Sequence, residues 1–149
     1  MHRAAGWRMT RLALSLALLP LPALSMPVEV ERIIDGDTLE IRVPSNADGW
    51  DVFDVRLRRL NTPESRSRCD TEAERERERA LADRATQYVR ERVRAADVVD
   101  VKREGEDGFH RPLVEVTLDG ESLNDDLLAE GYALPYRPGT HGRQWCTER

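Results

Sequence analysis

The strongest constraint on the fold is a change of hydrophobic period at Asp70. Upstream, short stretches alternate apolar and polar residues, the two-residue repeat of strands. Downstream, apolar residues from Ala73 to Val93 recur at helical spacing, and after Val98 the strand pattern returns. Val28–Ile34 (VEVERII), Thr38–Val43 (TLEIRV) and Phe53–Leu60 (FDVRLRRL) therefore predict three strands. Asp35-Gly36-Asp37-Thr38 gives a tight turn between the first two, and Pro44–Asp51 a polar loop before the third.

The helical stretch carries its own signals. Asp70 or Thr71 caps it, and Glu72 and Glu74 lie in its positive first turn. Ala73, Ala80, Leu81, Ala85, Tyr88, Val89 and Val93 form its apolar stripe. The ERERER run, Glu74–Arg79, alternates in sign and so reads as a solvated helix face rather than a nucleic-acid-binding stripe. Val98–Lys102 and Pro112–Leu118 predict the fourth and fifth strands, with the loop Arg103–His110 between them. Ser122 caps a short helix, Leu123–Glu130, which Gly131 closes. The expected class is α+β, mainly β: a five-stranded OB-type Greek-key barrel with one long helix and one or two short ones. An open α+β sandwich is the alternative. A chain of 149 residues with 40% apolar side chains suits one globular domain.

The first 25 residues are set apart. Arg3, Arg8 and Arg11 precede a 13-residue apolar stretch, Leu12–Leu24, too short to span a bilayer comfortably, and Ala23-Leu24-Ser25 is a small-x-small cleavage site. A signal peptide over 1–25 and a domain over 26–149 are expected, with a secreted or periplasmic destination. The full chain has net charge −5; losing three arginines makes the exported form −8. Such a surface cannot grip a polyanion over a long track, so any such contact belongs in a local basic pocket. In an exported chain, Cys69 and Cys146 are expected to form a disulfide that ties the tail to the segment after Pro63.

Three segments offer site chemistry. IIDGDT puts Asp35 and Asp37 at a turn, and hard cations take carboxylate oxygens. VRLRRLNTPES sets Arg56 and Arg58 on one strand face, opposite Phe53, Val55 and Leu57. Past the rigid corner at Pro63 it offers the Asn61 amide, the Thr62 carbonyl and the Glu64 carboxylate. Arginine suits a phosphate, and a carboxylate can take a proton from water. Alone, this stretch reads as a basic strand face and an ordinary turn. The third segment, DGFHR, ends in Arg111 as the fifth strand begins.

In this order, IIDGDT, VRLRRLNTPES and DGFHR resemble the staphylococcal nuclease family. The likeness runs from about Val28 to about Tyr136 and includes SLNDDLLAEGYA near the C-terminal end. It implies a Ca²⁺-dependent nuclease acting on DNA and RNA, preferring single strands and leaving 3′-phosphate ends, as a monomer. By position, it implies Asp37, Asn61 and the Thr62 carbonyl as metal ligands, with Asp35 just outside them. Glu64 becomes the general base, and Arg56 and Arg111 grip the phosphate. Asn61 stands where the family usually has aspartate, which predicts weaker Ca²⁺ binding. Phe109 replaces a common tyrosine and keeps a ring that can stack on a base. His110 replaces a common glycine. A barrel that binds nucleic acid or a phosphorylated ligand without cutting is the alternative reading.

Overall fold

The computed structural model describes residues 25–46, 48–140 and 142–147; all but Ser25 of the expected signal peptide lies outside them. In chain order the elements are β1 (Met26–Pro27), β2 (Glu29–Ile33), β3 (Thr38–Pro44), β4 (Trp50–Leu57), β5 (Leu60–Asn61), α1 (Glu72–Ala95), β6 (Val99–Glu106), β7 (Pro112–Leu118), β8 (Glu121–Ser122), α2 (Leu123–Ala129) and β9 (Leu134–Pro135). The five long strands are the five expected, and the two helices fall where the helical period and the Ser122 cap put them.

One hydrogen-bonded path, β1-β6-β7-β4-β3-β2, carries all five long strands, which is an OB-like arrangement and not a sandwich of two sheets. Among the described residues its two end strands do not pair with each other. The pairings are antiparallel except β4 with β7, which run parallel with Arg56 opposite Leu113 and Leu57 opposite Val114. This short parallel contact brings the segment after β4 beside the start of β7, where two of the three candidate segments lie.

The third strand departs from expectation at both ends. It starts earlier, at Trp50, and stops at Leu57, whose N–H donates to the Asp37 carbonyl at 2.8 Å. Arg59 then takes a left-handed φ of 70°. That corner re-aims Leu60 and Asn61, which pair with Pro135 and Leu134. Val55 and Leu57 are buried as expected, but Phe53, expected beside them, is 38% exposed, although its partner Ile41 lies in the core.

The core draws Leu39, Ile41, Val55, Leu57, Val101, Val114, Val116 and Leu118 from the sheet. Val89 of α1 and Leu123 and Leu127 of α2 join them. The start of α1 is fixed by a capping box: Thr71 Oγ1 accepts from the Glu74 N–H, and the Glu74 carboxylate accepts from the Thr71 N–H. Its buried seam is Glu78, Ala82, Ala85 and Val89, whereas Ala73 and Ala80, expected in the stripe, face solvent. The ERERER run is thus solvated only in part, since Glu78 is 1% exposed. The Cys69–Cys146 disulfide is present and ties the tail to the chain just before α1. Among the described residues no helix is long and apolar enough to cross a membrane.

Candidate active site

The Asp35–Thr38 turn is closed by the Thr38 carbonyl, which accepts from the N–H groups of Ile34 and Asp35. Asp35 Oδ1 in turn accepts from the Asp37 N–H at 3.0 Å, locking the turn from inside. Gly36 serves close approach. A Cβ there would lie 2.9 Å from Thr62 Cγ2 and 3.0 Å from Ala85 Cβ, so the turn, the Thr62 corner and α1 meet over this residue.

Asp37 is 3% exposed and its carboxylate is the hub. Oδ1 accepts from the Thr38 hydroxyl at 3.1 Å. Oδ2 accepts from Arg56 Nη2 at 2.9 Å and from the Thr62 N–H at 3.2 Å. The same Nη2 donates to Asn61 Oδ1 at 3.1 Å, so one guanidinium joins the side-chain oxygens of Asp37 and Asn61. Burial pushes the Asp37 carboxyl up to about 7 despite the opposing pull of Arg56, and the charges of Asp35 and Glu64 add to the rise.

Glu64 stands beside this hub, half-buried, just past the Pro63 corner. Burial raises its carboxyl above the usual range; Arg56 pulls it down, and Asp35 and Glu78 push it further up. Its position is set through the backbone, where its N–H donates to Glu78 Oε1 at 3.0 Å.

Arg111 lies two residues before Leu113, the β7 partner of Arg56. Its Nε donates to Asp107 Oδ2 at 2.8 Å, and its guanidinium carbon lies 5.8 Å from the centre of the Phe109 ring. Asp107 is the organiser of this loop. Burial would raise its carboxyl, but hydrogen bonds from the Arg111 and Phe109 N–H groups and from the Arg111 side chain hold it below the usual range. Phe109 is 83% exposed, a ring presented to solvent. His110 adopts φ 63°, a conformation that favours glycine, and its Nδ1 lies 2.7 Å from Glu106 Oε1.

The structure therefore brings Asp35, Asp37, Arg56, Asn61, Thr62 and Glu64 into one cluster. Arg111 and Phe109 lie in the loop that leads into β7, with Asp107 rather than the cluster as the Arg111 partner. The donor set fits a hard divalent cation. The side-chain oxygens of Asp37 and Asn61, which both accept from Arg56 Nη2, are hard donors of the kind such an ion takes. Asn61 adds an oxygen without adding charge. Phosphate chemistry would find one guanidinium on β4, a second in the loop before β7, and a proton acceptor at Glu64.

Two residues that the sequence reading did not assign to the site contact it. Glu78 was expected on a solvated face, and Trp145 lies in a tail with no periodicity to read. Trp145 Nε1 donates to the Asn61 carbonyl at 3.1 Å. The signal for Glu78 was its register, four residues before Ala82 and seven before Ala85 in α1; for Trp145, only its place next to Cys146. A groove lined by Asp83, Arg84, Gln87, Tyr88, Glu91 and Tyr132 shares no residue with the cluster.

A family model described as staphylococcal nuclease homologue matches residues 54–145, which spans Arg56, the corner, α1, Arg111 and Trp145. A search of curated proteins finds no match.

Proposed function

The chain belongs to the staphylococcal nuclease homologues, and from that premise we propose that it is an exported, Ca²⁺-dependent nuclease that hydrolyses the phosphodiester bonds of DNA and RNA with little sequence preference. The observation that carries this reading is the meeting of two segments distant in sequence. Asp37 and Asn61 accept from the same Arg56 nitrogen, and Glu64 stands next to them.

In this reading Asp37, Asn61 and the Thr62 carbonyl hold the ion, with Asp35 fixing the Asp37 backbone. The bound ion would supply positive charge to the phosphate. Glu64 takes the proton of the attacking water. Hydrolysis gathers charge on the phosphate's equatorial oxygens, where the Arg56 and Arg111 forks stabilise it. Asp107 accepts the Arg111 Nε–H and so aims that fork, leaving its Nη groups for the phosphate. The exposed Phe109 ring offers a stacking surface for a base. With −8 of formal charge on the exported form, these local cations and not the general surface draw the substrate.

One observation favours the rival reading of a barrel that binds without cutting. Arg56 is committed to Asp37 and to a neutral Asn61, which leaves the metal site one charge poorer than an aspartate would make it. The two readings separate when residues 26–149 are incubated with single-stranded DNA in Ca²⁺ or in chelator. Cleavage that needs Ca²⁺ and yields 3′-phosphate ends supports hydrolysis. Binding with no cleavage in any divalent metal contradicts it.

A further inference from the structure

The corner from Asn61 to Glu64 carries three of the proposed functional groups, yet it has little regular structure of its own. It is pinned at its two ends by side chains outside the hydrolytic scheme. At the entrance, Trp145 Nε1 donates to the Asn61 carbonyl at 3.1 Å. At the exit, Glu78 Oε1 accepts from the Glu64 N–H at 3.0 Å. Both pins are buried, Glu78 to 1% exposure. They are also joined. Glu78 Oε2 lies 3.3 Å from Cys69 Sγ, Cys69 is bonded to Cys146, and Cys146 follows Trp145 in the chain. Arg77, next to Glu78, donates to the Cys146 carbonyl at 3.0 Å.

A carboxylate removed from water needs a reason to be there, because desolvation disfavours its charge. Scaffolding alone does not supply one: Ala82 and Ala85 fill the same seam of α1 with no polar group. What Glu78 touches is the backbone of the residue whose carboxylate must face the scissile phosphate.

We infer that Glu78 and Trp145 are positioning residues of the hydrolytic site, clamping the Asn61–Glu64 corner from its exit and its entrance. This rests on the hydrolytic reading above. Glu78 fixes where the Glu64 side chain starts, and Trp145 fixes the peptide that carries the Asn61 and Thr62 oxygens. Neither touches substrate. Their removal acts on the geometry of the reaction and leaves the affinity for nucleic acid, set by Arg56, Arg111 and Phe109, largely in place.

The test compares wild type, Glu78→Gln, Glu78→Ala and Trp145→Phe as residues 26–149, by steady-state cleavage of single-stranded DNA in saturating Ca²⁺ and by hydrogen exchange at the Glu64 amide. Glu78→Gln keeps an acceptor oxygen for that amide, and kcat stays within about threefold of wild type. Glu78→Ala frees the amide and lowers kcat about tenfold or more with KM within about twofold. Trp145→Phe keeps the ring and loses only the N–H; kcat falls about threefold or more, again with KM little changed. Unchanged kcat in both Glu78→Ala and Trp145→Phe overturns the inference, as does equal loss in Glu78→Gln and Glu78→Ala. Should Glu78→Ala fail to fold, Trp145→Phe and the Glu64 amide of wild type decide: an amide that exchanges as fast as an open loop overturns the clamp. Exchange needs no turnover, so the two readings fail separately. A wild type that does not cut but protects the Glu64 amide overturns hydrolysis and supports the clamp.

Discussion

In the proposed site, Asn61 and Asp37 would decide how well a metal is held. Asn61 gives the ion an oxygen without a charge, so Asn61→Asp is expected to tighten Ca²⁺ binding roughly tenfold. Calorimetric titration checks this, and an affinity no better than wild type contradicts it. Asp37 predicts a pH dependence, because it must lose its proton to bind the ion. Its carboxyl is pushed up to about 7, so Ca²⁺ affinity is expected to rise as pH climbs through that value. For folding without metal the sign is opposite. An acid whose folded pKa lies above its unfolded value favours the folded state at low pH. The Asp37 contribution is full below 3.8 and is lost as pH rises through about 7. Urea midpoints of wild type and Asp37→Asn, compared between about pH 4 and about pH 8, should therefore diverge, with wild type losing ground as pH rises. A constant difference contradicts the assignment. Much of this residue-level picture was legible. Asp37, Arg56, Asn61, Thr62 and Glu64 were all named from motif order and do cluster. What the sequence hid is the pairing, since nothing in VRLRRLNTPES says that Arg56 bonds both Asp37 and Asn61 with one nitrogen.

The α1 helix shows where pattern reading reaches its limit. Its place followed from polar and apolar spacing, which left Asp70 or Thr71 as the cap; the structure uses Thr71. Its buried face did not, because an alternating charge run looks solvated and Glu78 belongs to that run. A carboxylate in register with Ala82, Ala85 and Val89 is an exception to the apolar stripe, and only the Glu64 amide it serves explains it. The strand that stops at Leu57 is a similar case. Nothing in the RLRRLN sequence marks the left-handed Arg59, yet that residue turns Asn61 toward the site. At this scale the sharpest prediction concerns Gly36, over which turn, corner and helix meet. Gly36→Ala forces a Cβ to within 2.9 Å of Thr62 Cγ2 and 3.0 Å of Ala85 Cβ. A loss of about 1–3 kcal/mol in urea unfolding is expected from such overpacking, together with weaker Ca²⁺ binding as Thr62 shifts. A variant as stable as wild type, with unchanged Ca²⁺ affinity, contradicts the packing argument.

Across the whole molecule, the disulfide ties the tail to the chain before α1, and the tail's Trp145 reaches the Asn61 carbonyl. Two cysteines in a chain whose N-terminus reads as a signal peptide made the Cys69–Cys146 pairing legible; that the tail would deliver Trp145 to the Asn61 carbonyl was not, because an irregular segment has no period to read. The bond spans 77 positions in sequence. Replacing both cysteines by serine is expected to lower stability by about 4–5 kcal/mol in the chain-entropy account. Equal urea midpoints for the two proteins contradict it. The proposed activity would need an acidic protein to act on a polyanion. The net charge of −5 is spread over the chain, whereas Arg56 lies on β4 and Arg111 just before β7, the strand that pairs with β4 at Arg56. The claim that joins these scales is that Glu64, held past the Pro63 corner beside Arg56, is the base of a phosphodiester hydrolysis. Its most direct test is the cleavage rate of single-stranded DNA at saturating Ca²⁺ for wild type and Glu64→Gln, with Ca²⁺ and DNA affinities measured on both. The account predicts a fall in kcat of about a hundredfold or more with both affinities nearly unchanged. Equal rates in the two proteins would contradict it.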